Sequence, residues 1–165
     1  MCLQYETDKI EETERFTAYK VYRVLGSLLV SPIFDKFAMA SGGYYSVPKP
    51  STVETTSLDY KSRIRLEDIK INEYLNAAGF HFFRKREDAE IYLTKASSSW
   101  TGMRFVVVSV DLDPQDVFLK GTTPCRLECG TELYLPTYVA TGFRITDKAF
   151  KDAINPFCGE CKPCA

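Results

Sequence analysis

The sequence contains a single histidine among its 165 residues. A catalytic arrangement that pairs a serine or a cysteine with histidine must therefore use His81. The sequence also lacks an excess of one charge, since 21 basic and 22 acidic residues give a formal net charge of −1. No overall positive field attracts nucleic acid. We therefore expect no nucleic-acid partner, and the residues favour a protein that is not an enzyme.

Long apolar runs are absent as well. The longest mostly apolar stretch, Leu25 to Phe34, is interrupted by glycine, serine and proline, and it is much shorter than the roughly 20 residues of a transmembrane helix. Acidic residues stand near the N-terminus, where a secretory signal carries a basic and then an apolar segment. We expect a soluble, cytoplasmic chain with no membrane partner, whose six cysteines lie in a reducing compartment.

The composition is that of a globular protein, with 45% hydrophobic and 26% charged residues. The length corresponds to one domain of roughly 150 residues. Residues 1–15 are polar and acidic and are predicted to form a charged N-terminal arm. We predict one domain over residues 16–154, followed by a cysteine-rich tail over residues 155–165.

The domain begins with a β-rich segment. Apolar residues occupy both parities from Phe16 to Leu25, which predicts a strand covered on both faces. Gly26-Ser27 then predicts a hairpin turn into Leu28 to Val30, and Pro32 is expected to end that second strand.

Patterns further along predict a mixture of strands and short helices. Arg104 to Leu112 is rich in valine and is expected at the centre of a sheet. The order of elements predicts a single α+β domain with a largely antiparallel sheet and two or three short helices. The remaining predicted strands are Tyr44 to Val47, Phe80 to Phe83, Asp116 to Lys120 closed by Gly121, Glu132 to Leu135, and Tyr138 to Ile145; the predicted helices are Leu66 to Ala78, Glu87 to Ala96, and Lys148 to Ile154 capped by Asp147.

A family resemblance is carried by the run Gly79-Phe80-His81-Phe82-Phe83, followed by Glu87-Asp88-Ala89 and Tyr92. It resembles a family of uncharacterised small proteins, many encoded by bacteriophages and large DNA viruses, in which a Gly-Phe-His strand precedes an acidic-alanine helix. The similarity spans residues 16 to 146 as an ordered set of short motifs. It implies a viral or mobile-element origin, and hence the host cytoplasm, but no established activity.

Aromatic residues are abundant, with ten tyrosines and eleven phenylalanines. Tyr44, Tyr45 and Phe82 lie next to a predicted long loop, where aromatic side chains form either a binding surface or core. His81 is either a base or a polar contact at the edge of a cleft, or a residue whose two nitrogens hydrogen-bond the loop and hold it against the sheet. The leading hypothesis is an accessory protein that binds a host protein or a small ligand between the 42–50 loop and the 79–83 strand.

The cysteines suggest a metal. Cys125 and Cys129 are close in sequence, and the tail carries a second group with a two-residue spacing. Zinc prefers four tetrahedral nitrogen or sulfur ligands, so both groups together predict a structural Zn²⁺ site. A disordered tail, disulfides and an iron–sulfur cluster are the alternatives. The tail cysteines are Cys158, Cys161 and Cys164.

An enzymatic alternative comes from a second resemblance. The chain is similar to ADP-ribosyltransferases, which use NAD, in its β-rich order with an arginine on the first strand and acidic residues near a late strand. The resemblance implies that Arg23 clamps the pyrophosphate, that Tyr45 or Phe82 stacks on nicotinamide, and that Glu132 stabilises the oxocarbenium charge. The Glu-x-Glu pair of that family is absent.

Overall fold

The computed structural model describes residues 4–7, 10–31, 38–47, 79–98 and 102–155. Within these ranges lie ten strands and two helices. The strands are β1 (Gln4–Thr7), β2 (Phe16–Leu25), β3 (Leu28–Val30), β4 (Ala38–Met39), β5 (Gly43–Ser46), β6 (Phe80–Phe83), β7 (Arg104–Leu112), β8 (Val117–Arg126), β9 (Glu132–Ala140) and β10 (Gly142–Ile145), and the helices are α1 (Arg86–Ser98) and α2 (Asp147–Ile154).

All ten strands belong to one sheet, in the order β1-β8-β9-β6-β2-β7-β10-β5, with β3 joined to β2 and β4 joined to β3. Every pairing within it is antiparallel. The predicted α+β class, with a single domain and a largely antiparallel sheet, is confirmed. Neither helix in the described part of the chain is long and apolar enough to span a membrane.

The β2–β3 hairpin has the predicted bounds. Leu25 pairs with Leu28 across the two-residue turn. Gly26 has φ +60°, a left-handed conformation that glycine adopts without steric cost. The predicted end of the strand at Pro32 lies outside the described residues, although β3 itself ends at Val30.

Each face of the sheet carries a large core cluster and one helix, because successive side chains of a strand point to opposite faces. Tyr22 and Val108 face the same side as α2, which contributes Phe150. Val21 and Phe83 face the opposite side and pack with Ala89 of α1. The two helices therefore cover opposite faces of the same strands.

Two predicted strand boundaries were wrong, and both errors involve turn-forming residues. The strand predicted to stop at Gly121 continues to Arg126, because β1 and β9 pair with β8 on its two edges. The runs predicted as Glu132 to Leu135 and Tyr138 to Ile145 are instead β9, which passes through Pro136, and β10, which begins after a bend at Thr141.

Pro136 is tolerated within β9 because of where β6 ends. The Pro136 carbonyl accepts a hydrogen bond from the Arg84 N–H over 3.1 Å, and Arg84 is the first residue after β6. The N–H and C=O of a strand residue point to the same side. Pro136 has no N–H to return this hydrogen bond. The loss is therefore one hydrogen bond at the end of the β6–β9 ladder, and none is lost within the ladder.

The helices and the N-terminal segment also differ in detail from the sequence predictions. The N-cap of α2 is Thr146, whose side chain accepts from the Ala149 N–H, and not the predicted Asp147. Residues Gln4–Thr7 of the predicted arm form β1 against β8. The strand predicted at Tyr44 to Val47 is β5, one residue earlier, and the helix predicted at Leu66 to Ala78 lies outside the described residues.

Candidate functional site

The four predicted binding residues do not share one surface. Tyr44 is 52% exposed, and its hydroxyl donates to Asp116 Oδ2 over 3.0 Å. Tyr45 is half-buried and donates to the Ser41 carbonyl over 2.7 Å. His81 is buried, and Phe82 is 0% exposed in the core. The Phe82 ring therefore offers no surface to a partner in this structure.

The expected cleft between β5 and β6 is filled by Phe143, which is 1% exposed. The Tyr45 ring stacks on Phe143 with centroids 5.7 Å apart, and the Phe80 ring meets it edge-on at 4.8 Å. The space predicted to hold a ligand is, over the described part of the loop, aromatic core.

Tyr44 lies instead in a charged cleft of about 310 Å³. Arg15 lies 3.6 Å from Asp113 there, and Arg144 is opposite Asp111 in the strand register. Three carboxylates (Asp111, Asp113 and Asp116) and two arginines line this cleft, so it does not present one sign of charge that would select a ligand.

The two described cysteines occupy different environments. Cys125 is fully buried and packs with Val21 and Phe83. Cys129 is exposed, its thiol donates to Thr131 Oγ1 over 3.3 Å, and that hydroxyl lowers the pKa of the thiol because it can donate to the thiolate. Among the described residues no group of three or more metal-ligating side chains is placed to hold an ion. The tail cysteines lie outside those residues, so the zinc site stays a prediction.

The residues of the ADP-ribosyltransferase alternative lie toward opposite ends of the sheet. Tyr19 of β2 pairs with Phe83, which pairs with Thr137 of β9, so Tyr19 and Thr137 are level. From this level Arg23 lies in one strand direction and Glu132 in the other. With a rise of about 3.3 Å per residue, their backbones are separated by roughly 30 Å. The structure does not bring this pair together.

A different feature of the sheet stands out, the free edge of β7. Along one edge β7 pairs with β2 at nine positions, from Phe16↔Leu112 to Val24↔Arg104. On the other edge its only described partner position is Asp111, opposite Arg144 of β10. Among the described residues, no strand pairs with that edge from Arg104 to Ser109. We call this stretch the open edge.

The hairpin register shows which peptide groups face the open edge. Leu25 and Leu28 flank a two-residue turn, so their peptide groups face each other. The direction in which the N–H and C=O groups point alternates from one residue of a strand to the next. The groups of Val24 therefore point to β7, and those of its partner Arg104 point back to β2. By the same alternation, the groups of Phe105, Val107 and Ser109 point outward. The pairing of Asp111 with Arg144 on the same edge agrees with this assignment.

A groove of about 430 Å³ follows the open edge. Its floor is the strand from Phe105 to Ser109, α1 lines one side, and α2 lines the other. Phe105 and Val107 pack on the α1 face, whereas Val106 and Val108 pack on the α2 face. The lining helix residues are Arg86, Glu90 and Leu93 of α1 and Ala149, Asp152 and Ala153 of α2.

Most charges at the rim of the groove are neutralised locally. Arg86 Nε lies 2.8 Å from Glu90 Oε1, and Lys148 Nζ lies 2.7 Å from Asp152 Oδ2. Arg104 differs, because its guanidinium donates to the carbonyl oxygens of Ala153 over 2.7 Å and Ile154 over 3.0 Å. The helix residues that line the walls are half charged and half apolar, and the floor presents peptide groups.

The valine-rich pattern identified β7 as a strand but not its open edge. Apolar residues on both faces predict a strand covered by helices, which is correct for β7. They carry no information on the two edges. Within the described part of the chain no strand covers this edge, because β10 ends at Ile145 and Thr146 caps α2.

Comparisons of the chain with protein family models, with curated proteins and with solved structures found no match.

Proposed function

We propose that this protein is a non-enzymatic binding protein that takes up an extended segment of a partner protein as an added strand on the open edge of β7. The observation that supports this most directly is the coincidence of a groove with strand groups that no described strand pairs with. Strand addition of this kind uses main-chain hydrogen bonds for affinity and side-chain pockets for specificity.

The physical chemistry of a sheet edge supports the proposal. A row of outward N–H and C=O groups templates the pairing of another chain, and natural proteins usually protect such edges with charges, proline or bulges. From Phe105 to Ser109 the sequence is Phe-Val-Val-Val-Ser, with no charge and no proline. Each added hydrogen bond contributes about 0.5–1.5 kcal/mol net, so a short segment gains several such contributions.

The proposal retains the interpretation of the sequence as an accessory protein that binds a protein partner, encoded by a virus or a phage. It relocates the contact from the 42–50 loop to β7. The ADP-ribosyltransferase alternative lacks comparable support, since Arg23 and Glu132 lie roughly 30 Å apart along the strand direction.

Amide hydrogen exchange tests whether the edge is open in the free protein. We expect fast exchange at Phe105, Val107 and Ser109 and slow exchange at Val106 and Val108, which bond to β2. Uniform protection along β7 in a monomeric sample would mean that the rest of the chain covers the edge, and the proposal would be wrong.

Binding is tested with a displayed library of extended peptides. Ser109→Pro removes one outward N–H without taking a bond from β2, and proline is accepted at the free side of an edge strand. Ser109→Ala is the matched control because it keeps the N–H. Selected peptides should bind the native protein and Ser109→Ala alike and bind Ser109→Pro weakly. Equal binding to all three, with an unchanged melting temperature, would place the binding surface elsewhere.

A further inference from the structure

The chemistry and direction of the added strand can be inferred from the groove itself, on the premise of the proposed function. We infer that the partner contributes a lone extended segment that runs antiparallel to β7 and carries a carboxylate at the end beside Arg104.

The shape of the groove selects a lone segment. The groove is walled by α1 on one side of the strand plane and by α2 on the other. A second copy of this chain would have to approach with its own β7, which carries the same two helices on its two faces. Helix would then meet helix before the strands could pair. An extended segment without flanking helices has no such obstruction.

The direction follows from β10. This strand runs antiparallel to β7 on the same edge and then leaves the edge where α2 begins at Thr146. The open edge lies where β10 would continue along β7 if it extended beyond Ile145. An antiparallel segment on that line extends the same ladder type, which is slightly more stable per residue than a parallel one. Its N-terminal end then lies near Ser109 and its C-terminal end near Arg104.

The charge follows from Arg104. Its described partners are two carbonyl oxygens in the last turn of α2. These supply partial negative charge from the helix end, but no full counter-charge. Arg86, which lines the same groove, already has Glu90 at 2.8 Å. A carboxylate on the partner segment is therefore drawn to the Arg104 end, because the charged helix residues that line the rest of the groove are already in ion pairs.

The experiment uses synthetic peptides of alternating valine and threonine as probes, acetylated at the N-terminus. One probe carries a single glutamate at its C-terminal end and another carries it at the N-terminal end. Each C-terminus is made both amidated and free, which distinguishes a side-chain carboxylate from a terminal one. Dissociation constants are measured for the native protein, Arg104→Gln and the matched control Arg86→Gln.

We expect the C-terminal glutamate to strengthen binding about two- to five-fold over the N-terminal one, the range of an exposed ion pair. The preference should vanish in Arg104→Gln, persist in Arg86→Gln, and fall at about 0.5 M salt because the charges are screened. A spin label on the peptide N-terminus should broaden the Ser109 amide more than the Arg104 amide.

The outcomes separate this inference from the proposed function. Peptides that bind equally well with either glutamate position, and still lose affinity to Ser109→Pro, would overturn the inference and leave the function intact. The opposite broadening pattern would overturn the antiparallel direction. A dimer of the native protein that Ser109→Pro dissociates would identify a second copy as the occupant. Failure of every peptide to bind, with an open edge by hydrogen exchange, would contradict both proposals.

Discussion

The Lys20 ammonium donates a hydrogen bond to the backbone carbonyl of His81 over 2.9 Å in the interior of the sheet. The ammonium also lies over the Phe82 ring, 5.2 Å from its centroid, and over the Tyr22 ring at 5.8 Å. Burial lowers the pKa of Lys20 to about 8. A cation in the core, next to the only histidine, is thus held by a carbonyl and aromatic faces.

Lys20→Met should stabilise the protein at neutral pH, because it removes a desolvated charge and keeps the side-chain length. A lowered pKa of this size corresponds to a penalty on the order of 3 kcal/mol. The lost hydrogen bond to His81 offsets part of it, so we expect a net gain of about 1–2 kcal/mol in the free energy of unfolding. Denaturant titration measures it, with the exposed Lys151→Met as the control.

The pH dependence gives the same substitution a second, sharper readout. Between pH 8 and 10.5 the unfolded chain binds more protons at Lys20 than the folded chain does, so the native protein gains stability as pH rises. The native protein should therefore approach Lys20→Met in stability between pH 8 and 9.5. Parallel profiles for the two proteins would show that Lys20 is not desolvated.

His81 should remain neutral far below its usual range. Burial, and after it the charge of Lys20, lowers its pKa to about 3. Stability that depends on the neutral ring is present above pH 6.5 and is lost as pH falls toward 3, by at most about 1.4 kcal/mol per pH unit. The sequence has one histidine, so a single Cε1 proton resonance reports it.

That resonance should not titrate between pH 8 and 5 in the native protein, and its midpoint should rise in Lys20→Met. A midpoint near 6 in the folded protein would contradict the buried position of the ring.

Gly42 and Gly142 should differ in their tolerance of alanine. A Cβ at Gly42 would lie 2.7 Å from the backbone nitrogen of Asp147, whereas one at Gly142 would clash with the Tyr44 hydroxyl. Backbone cannot move aside, but the half-exposed Tyr44 side chain can rotate away. We expect Gly42→Ala to cost about 2–3 kcal/mol and Gly142→Ala about 1 kcal/mol.

Thermal unfolding measures both substitutions. Tyr44→Ala should cancel most of the cost of Gly142→Ala, since it removes the atoms in the way, and should leave the cost of Gly42→Ala unchanged. Equal costs for the two glycines, or no rescue by Tyr44→Ala, would contradict this account.

Strands were predictable where both faces of the sheet are covered. β2 and β7 have their predicted bounds because apolar residues on both parities fit a doubly covered strand and little else. Gly121 and Pro136 misled the prediction, since each is a local turn signal that pairing on the two edges of the strand overrides. Residue type alone also does not distinguish Thr146 from Asp147 as the N-cap of α2, because these adjacent residues both cap helices well.

The candidate site was less predictable for a related reason. The prediction that Tyr45 and Phe82 bind a ligand rests on their aromatic character. An aromatic residue in the core and one on a binding surface have the same sequence signal. The open edge depends on where β10 departs from β7, and that is decided by the pairing of strands distant in sequence.

The pairing of β2 with β7 also sets the order in which the chain can fold during synthesis. Phe16 pairs with Leu112, so β2 leaves the ribosome roughly 5–20 s before its long neighbour at 5–20 residues per second. Until then its described strand partners in the nascent chain are β3 and, later, a single position on β6, and α1 packs against one of its faces. Most of the polypeptide is therefore made before β2 is paired along its length, and in that interval the edge of β2 that later pairs with β7 is accessible to chaperones.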